Sequence, residues 1–380
     1  MIPAAASGRV RAMGLAGRVA GPDKGYPHNL TLDVHPMPHW RIPAGCDEPL
    51  MLNIGAILAN REIRSPGSFP DLRVHRDLAL ACDYSGDHQG SAYQVLTFLL
   101  ADGPGIVGAW DAQRLAIRKQ HMRDGRRMAF KSLSDRSRQR ALGPFLEASA
   151  GLNGIIFCVA VDKGLLSHNF GYQFPEQDFV KPRTLSKMIL IGMLGSFLVG
   201  GLTMEGQTLF WITDEDEIVS NDRIKAVAGR VFGSMLYRFC PQGFEELSIG
   251  VSGKFDDDLR AEDLCSIPDL VGGAVAESLT SLGVAIPQAS GIFTPLFARQ
   301  ATKTNLLLQW ISSLDGPLRF LMCIIRPAGD GQLLVSFGEP ALHVDRVPGL
   351  LWTPPDKGWN ESLRSWRREF LLKINRPKGG

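Results

Sequence analysis

The sequence has no Cys-x-x-Cys pair. Its six cysteines are scattered, most of them inside apolar runs: Cys46, Cys82, Cys158, Cys240, Cys265 and Cys323. This usage is typical of small buried side chains in a reducing compartment and excludes a disulfide framework. The opening stretch, MIPAAASGRVRAMG, lacks a continuous apolar run, so we expect no secretory signal and a cytoplasmic protein.

A net charge of either sign is also nearly missing. The 380 residues include 41 Lys and Arg against 39 Asp and Glu, so the overall charge of +2 indicates no particular partner. Hydrophobic residues make up 44% and charged residues 21%, which excludes a disordered chain and predicts a globular protein with a sizeable core. The length suits one large α/β domain or a core domain with two appendages.

Charge is wholly absent from Met188 to Met204, a stretch of 17 residues. This length is at the lower bound for spanning a bilayer, so a membrane segment is one interpretation. A buried core helix of an α/β domain has the same composition, and nothing else in the chain resembles a membrane span. We therefore expect a core helix and no membrane.

Short apolar runs separated by helical patterns predict an α/β fold. The predicted strands are Leu78–Cys82, Tyr93–Ala101, Ile155–Val161, Thr208–Thr213 and Leu247–Val251, with a hairpin of Leu318–Ile325 and Gln332–Phe337. The predicted helices cover Gly108–Arg127, a segment from an N-cap at Ser134 to Ser149, the apolar stretch above and an amphipathic helix opening at Asp222. A further helix has Pro268 in its first turn.

Aspartates follow several of these elements. Asp83 ends the first buried strand, Asp214 and Asp216 follow the fourth, and Asp269 opens a helix. Carboxylates at the ends of adjacent core elements can converge on Mg²⁺ or Mn²⁺, which take oxygen ligands, so we predict that Asp83, Asp214, Asp216 and Asp269 hold metal. Asp214 is favoured over Asp216 as the catalytic member because it is the first residue past the strand. The alternatives are a turn role for Asp83 and a helix-dipole role for Asp269.

Basic residues are concentrated between Arg114 and Arg140, where ten Lys and Arg face two acids. A block of one sign in a nearly neutral chain predicts contact with a phosphate backbone, and a solvated helix face is the alternative. The predicted nucleic-acid contacts are Arg118, Lys119, Arg123, Arg126, Arg127 and Lys131.

Four motifs resemble, in order and spacing, a widespread bacterial family of domains of unknown function marked by the motif D-E-S-G-D. These are Asp83-Tyr84-Ser85-Gly86-Asp87, Phe130–Arg140, Trp211–Asp216 and Pro268-Asp269-Leu270-Val271-Gly272-Gly273, the last being similar to A-D-L-I-A-G. The resemblance covers Arg76 to Ser281. It implies a ribonuclease H-like mixed sheet flanked by helices, and a nuclease or related phosphoryl-transfer enzyme whose catalytic residues are Asp83, Asp214 and Asp269.

The chain departs from that family at two places that bear on activity. Tyr84 stands where the family has Glu, and the apolar helix, where ribonuclease H enzymes place a catalytic Glu, has no acid before Glu205. These departures favour an alternative, a catalytically inactive ribonuclease H-like protein that binds or assembles. A homo-oligomer is also left open.

The domain division follows from the span of the resemblance. Residues 1–75, rich in Gly, Pro and His, are predicted to form an N-terminal arm or irregular subdomain, residues 76–285 the core domain, and residues 286–380 a C-terminal extension. The end of that extension is basic, with Trp352, Trp359 and Trp366 interleaved, which predicts either single-strand binding by stacking or a helix docked on the core.

Overall fold

The computed structural model describes residues 38–167, 180–214, 217–252, 259–281, 302–329 and 332–338. Two predictions fall outside these ranges: the metal ligand Asp216 and the basic tail with its three tryptophans.

The centre of the fold is a seven-stranded mixed sheet with the order β5-β4-β1-β2-β3-β6-β7. Its strands are β1 Asp77–Ser85, β2 Tyr93–Asp102, β3 Gly154–Asp162, β4 Thr208–Thr213, β5 Glu246–Val251, β6 Leu318–Gly329 and β7 Gln332–Gly338. The pairs β1 with β2, β2 with β3 and β6 with β7 are antiparallel; β4 is parallel to β1, β5 to β4 and β6 to β3. The α/β class and the predicted strands are confirmed.

Helices flank the sheet. They are α1 Pro49–Arg64, the single turn α2 Gly103–Gly105, α3 Asp111–His121, α4 Arg136–Ala150, α5 Pro182–Leu202, α6 Asp222–Phe239, α7 Arg260–Ser281 and α8 Thr302–Ser312. Shorter turns are the π-helix Ile106–Trp110 and the 3-10 helices Phe130–Ser132 and Lys163–Ser167.

Alternation along β1 separates two cores. Leu80 and Cys82 point into the core that contains α1, α5 and α6, whereas Ala79 and Ala81 point into the core that contains α3, α4, α7 and α8. Because both faces of the sheet are covered, the central strands are continuous apolar runs. The same alternation directs Asp83 to the face that α7 covers.

Helix α5 is buried at every residue from Thr184 to Leu202, where it packs in the first core. In the described part of the chain it is the one helix long and apolar enough to cross a membrane. Its complete burial among other elements agrees with the core-helix interpretation.

Helix α7 begins earlier than the sequence predicts. Pro268 was expected in the first turn, but the helix starts at Arg260 and Pro268 lies inside it. Asp269 is therefore a mid-helix residue, and the helix-dipole explanation for it is wrong. Similarly, the N-cap of α4 is Asp135, whose carboxylate accepts from the N–H groups of Ser137 and Arg138, and not Ser134.

Two helices were not predicted. Helix α1, in a segment expected to be irregular, begins with proline, which suits a first helical turn, and supplies Met51 and Ile54 to the first core. Helix α8 supplies Leu307 and Leu308 to the second. Strands β6 and β7 extend the same sheet beyond β3. The division into arm, core and extension stays a prediction.

Candidate functional site

Two of the three predicted catalytic aspartates lie at the same edge of the sheet. Asp83 is buried near the carboxyl end of β1, where it pairs in register with Thr97 of β2. On its other side β1 runs parallel to β4, and Cys82 pairs with Thr213. Asp214 follows directly, so the carboxyl ends of two parallel strands bring Asp83 and Asp214 to one level of the sheet.

Helix α7 carries the third aspartate across this edge. A Cβ atom at Gly272 would lie 2.8 Å from the Thr97 hydroxyl and 3.4 Å from the Ser85 hydroxyl, so only glycine allows the helix to approach the strands this closely. One turn earlier, Asp269 accepts a hydrogen bond of 2.8 Å from the N–H of Phe130. The backbone before α4 therefore fixes the orientation of the Asp269 carboxylate.

A fourth carboxylate, which the sequence analysis did not include, belongs to the same face of α7. Glu262 precedes Asp269 by seven residues, with Cys265 between them at helical spacing, and its side chain is buried. Burial raises the pKa of the Cys265 thiol, and the charges of Asp83, Asp214 and Glu262 raise it further. The site therefore gathers carboxylates from β1, from the end of β4 and from α7.

Positively charged groups border these carboxylates. The Nε of Arg127 lies 3.0 Å from Glu262 Oε1, and its Nη1 lies 3.9 Å from Asp214 Oδ1. The Lys303 ammonium lies 4.0 Å from the centre of the Phe130 ring and donates to the Phe130 carbonyl. The acids thus face a rim of long basic side chains from the segment before α4 and from α8.

Burial and repulsion from neighbouring carboxylates raise the pKa of the two acids on α7, Asp269 and Glu262. Burial raises the pKa of Asp269 to about 6, and the charge of Asp214 adds to the rise, against the Phe130 N–H and the charges of Lys131 and Lys303. Burial also raises the pKa of Glu262, although Arg127 opposes the rise. An additional cation at this place would relieve both effects.

The donor set suits a hard divalent cation, because every candidate ligand offers carboxylate oxygen. Within the ranges that the structure describes, however, no three His, Cys, Asp or Glu side chains are already grouped closely enough to hold a metal ion. Ser252 and Arg127 instead engage Asp214, the former by a hydrogen bond of 2.7 Å from its hydroxyl to Asp214 Oδ1. The residues fit Mg²⁺ or Mn²⁺ in chemistry, and a bound ion would have to draw the carboxylates together.

The predicted nucleic-acid contacts divide into an exposed and a buried set. Lys119, Arg123, Arg127 and Lys131 are exposed, and Arg126 is half-buried between Asp124 and Asp135. Arg118 differs from the prediction of a nucleic-acid contact. It is buried, and its Nε and Nη2 donate to the two oxygens of Asp263 at 2.5 Å each. Its guanidinium is committed to the interior and is not part of a surface for a phosphate backbone.

No model of a protein family matches the chain, and no curated protein matches it.

Proposed function

We propose that this protein is a metal-dependent phosphoryl-transfer enzyme, a nuclease, with Asp83, Asp214 and Asp269 as its catalytic residues and Mg²⁺ or Mn²⁺ as its cofactor. The observation that carries the proposal is the face of α7, which presents Glu262 and Asp269 to the sheet edge where Asp83 and Asp214 lie. Like charges at a partly buried place are unfavourable unless a cation compensates for them, so the placement of these acids at one edge of the sheet favours a cation site.

The topology supports a ribonuclease H-like assignment. Three consecutive antiparallel strands, β1 to β3, are followed by β4 and β5 added in parallel on the free side of β1. The resemblance implies such a mixed sheet flanked by helices, and α7 returns to β1 with Asp269. The motifs that resemble the D-E-S-G family lie on β1, on the segment that leads into α4, on β4 and in α7.

Each residue of the site has a role in this proposal. A bound divalent ion would supply electrostatic stabilisation of charge that develops on phosphate oxygens. Ser252 orients the Asp214 carboxylate, and the Phe130 N–H orients that of Asp269. The exposed side chains of Arg127 and Lys131 lie beside the acids and provide positive charge for a phosphate backbone. The nucleic acid, DNA or RNA, is the proposed substrate class.

Hydrolysis of labelled DNA and RNA with Mg²⁺ or Mn²⁺ tests this function. Asp83→Ala and Asp214→Ala are expected to reduce cleavage to the metal-free background, because each removes one ligand of the ion. Asp315→Ala is the matched control, since Asp315 is exposed and precedes β6 on the far side of the sheet. Cleavage by Asp83→Ala at the wild-type rate would remove the assignment.

One observation favours a second candidate, a ribonuclease H-like binding or assembly protein without catalysis. The Arg127 guanidinium already places a positive charge between Asp214 and Glu262, as a built-in counter-ion would. In such a protein the acids and Arg127 form a structural network, and the metal is dispensable.

Arg127→Gln separates the two candidates. In the enzyme, the guanidinium competes with the metal, so its removal is expected to tighten Mn²⁺ binding about tenfold, which corresponds to about 1.4 kcal/mol. Calorimetric titration with Mn²⁺ measures the change. Arg123→Gln is the control, because Arg123 is exposed and its Nε donates to the Lys119 carbonyl. Loss of stability in Arg127→Gln with no Mn²⁺ binding by either protein would favour the structural network.

A further inference from the structure

A buried lysine lies on the opposite face of the sheet from Asp83. Lys187, near the start of the largely apolar helix α5, is 2% exposed. Its Nζ lies 3.1 Å from Asp87 Oδ2 and 3.1 Å from Glu217 Oε1. The same ammonium stands 3.8 Å from the centre of the Tyr84 ring, an arrangement in which the ring face stabilises the cation.

The two carboxylates belong to the two segments that carry the proposed ligands. Asp87 lies in the turn after β1, four residues after Asp83, and Glu217 lies three residues after Asp214. Lys187 therefore connects the chain that leaves β1 to the chain that leaves β4. Tyr84, which follows Asp83 directly, is held against the same ammonium.

Contacts other than that with Lys187 also restrain the turn after β1. Gly86 has a φ of +87°, and a Cβ atom there would lie 2.4 Å from the Tyr93 carbonyl oxygen. Lys163 donates to the His88 carbonyl at 2.7 Å, and Arg183 lies 3.7 Å from Asp87. The chain that leaves β4 contacts α5 through Glu217 and Lys187.

We propose that Lys187 is a positioning residue for the metal site: it joins the segments after β1 and β4, and so sets the direction in which the chain that carries the Asp214 carboxylate leaves the sheet beside Asp83. This inference rests on the proposed function. A residue that orients metal ligands without contacting the metal typically changes metal affinity 10–100-fold when it is replaced. Methionine in place of Lys187 would keep the length and burial of the side chain but remove the charge that holds Asp87 and Glu217.

The experiment measures the Mn²⁺ concentration that gives half-maximal cleavage, together with Mn²⁺ affinity by calorimetry. Lys187→Met is expected to raise the Mn²⁺ midpoint and the Mn²⁺ dissociation constant at least tenfold, and Lys187→Arg, which keeps the charge, to restore part of the affinity. Ser196→Ala, on the same buried helix, controls for disturbance of α5. A purely structural role would lower the folded fraction and the amplitude of cleavage without moving the Mn²⁺ midpoint, which overturns the proposal.

A second variant and the wild-type protein make the result interpretable if Lys187→Met does not fold. If Lys187→Met does not fold, Glu217→Gln carries the test, since its half-exposed side chain keeps its shape and loses only the charge, and a rise of about threefold in the Mn²⁺ midpoint is expected. An unmoved midpoint in that variant overturns the proposal. Absence of Mn²⁺ binding by the wild-type protein overturns the proposed function and this inference together, whereas wild-type binding with an unmoved midpoint overturns this inference alone.

Discussion

Asp263→Ala is expected to destabilise the protein by about 3–5 kcal/mol, because it leaves buried positive charge without its partner. Asp263 accepts from Arg118 through both carboxylate oxygens and from Arg114 Nη1 at 3.2 Å, and all three side chains are buried. Arg114 keeps a second partner in Asp111, at 2.6 Å. The main loss therefore falls on Arg118, whose guanidinium would stay in the interior opposite no carboxylate.

Urea unfolding followed by circular dichroism measures this change. The matched control is the double variant Arg118→Met with Asp263→Leu, which replaces the ion pair with apolar side chains and is expected to lose less than the single variant. Asp124→Ala gives the exposed comparison, because the Asp124–Arg126 pair lies at the surface, where solvent screens it, and its loss is expected to change stability far less than Asp263→Ala. A loss below 1 kcal/mol in Asp263→Ala would contradict the assignment of Arg118 to the core.

This network shows why the basic block could be predicted only in part. Periodicity along Asp111–His121 places Arg114 and Arg118 on one face of α3, but it does not tell whether that face meets water or another helix. The partner, Asp263, is 145 residues away from Arg118 and its position depends on the packing of α7. A count of basic residues in the sequence treats all ten alike, whereas in the folded protein Arg114 and Arg118 are buried.

The strands of the sheet were predictable because buried strands are short, continuous apolar runs. Their order was not, since the parallel pairings of β1 with β4 and of β3 with β6 join segments more than 100 residues apart. Helix α7 was placed too late because Pro268 is typical of a first turn, and its burial against β1 and β2 outweighs the hydrogen bond that proline removes.

The candidate site was predictable where the acid follows a strand. Asp83 and Asp214 stand at strand ends in the sequence, and parallel pairing brings such ends together. Glu262 was not included because the helix was expected to begin at Pro268, which lies after it; its spacing of seven residues from Asp269 was the available signal. Arg127 was expected to meet a ligand, and its contact with Glu262 across the chain could not be predicted from spacing.

Asp269→Asn is expected to stabilise the metal-free protein by about 1–3 kcal/mol above pH 6 while removing the proposed activity. Burial, with the charge of Asp214, raises the pKa of Asp269 from 3.8 to about 6 in the folded protein. Between these values the folded protein holds a proton that the unfolded chain has released, so stability falls as the pH rises from about 4 to 6. Asparagine carries no charge at any of these pH values, and its carbonyl oxygen can still accept from the Phe130 N–H.

Urea unfolding of both proteins between pH 4 and pH 8, in the presence of a chelator, measures this effect. The stability advantage of Asp269→Asn should be absent near pH 4, grow through pH 6 and then stay constant, because the wild-type carboxylate is fully ionised above its raised pKa. Asp315→Asn, at an exposed position, should follow the wild-type curve. Added Mn²⁺ should stabilise the wild-type protein more than Asp269→Asn, since the ion binds the ionised carboxylate and offsets the repulsion from Asp214. Parallel pH curves for the wild-type protein and Asp269→Asn would show that Asp269 ionises in the folded protein as freely as in the unfolded chain, and would remove it from the acidic site.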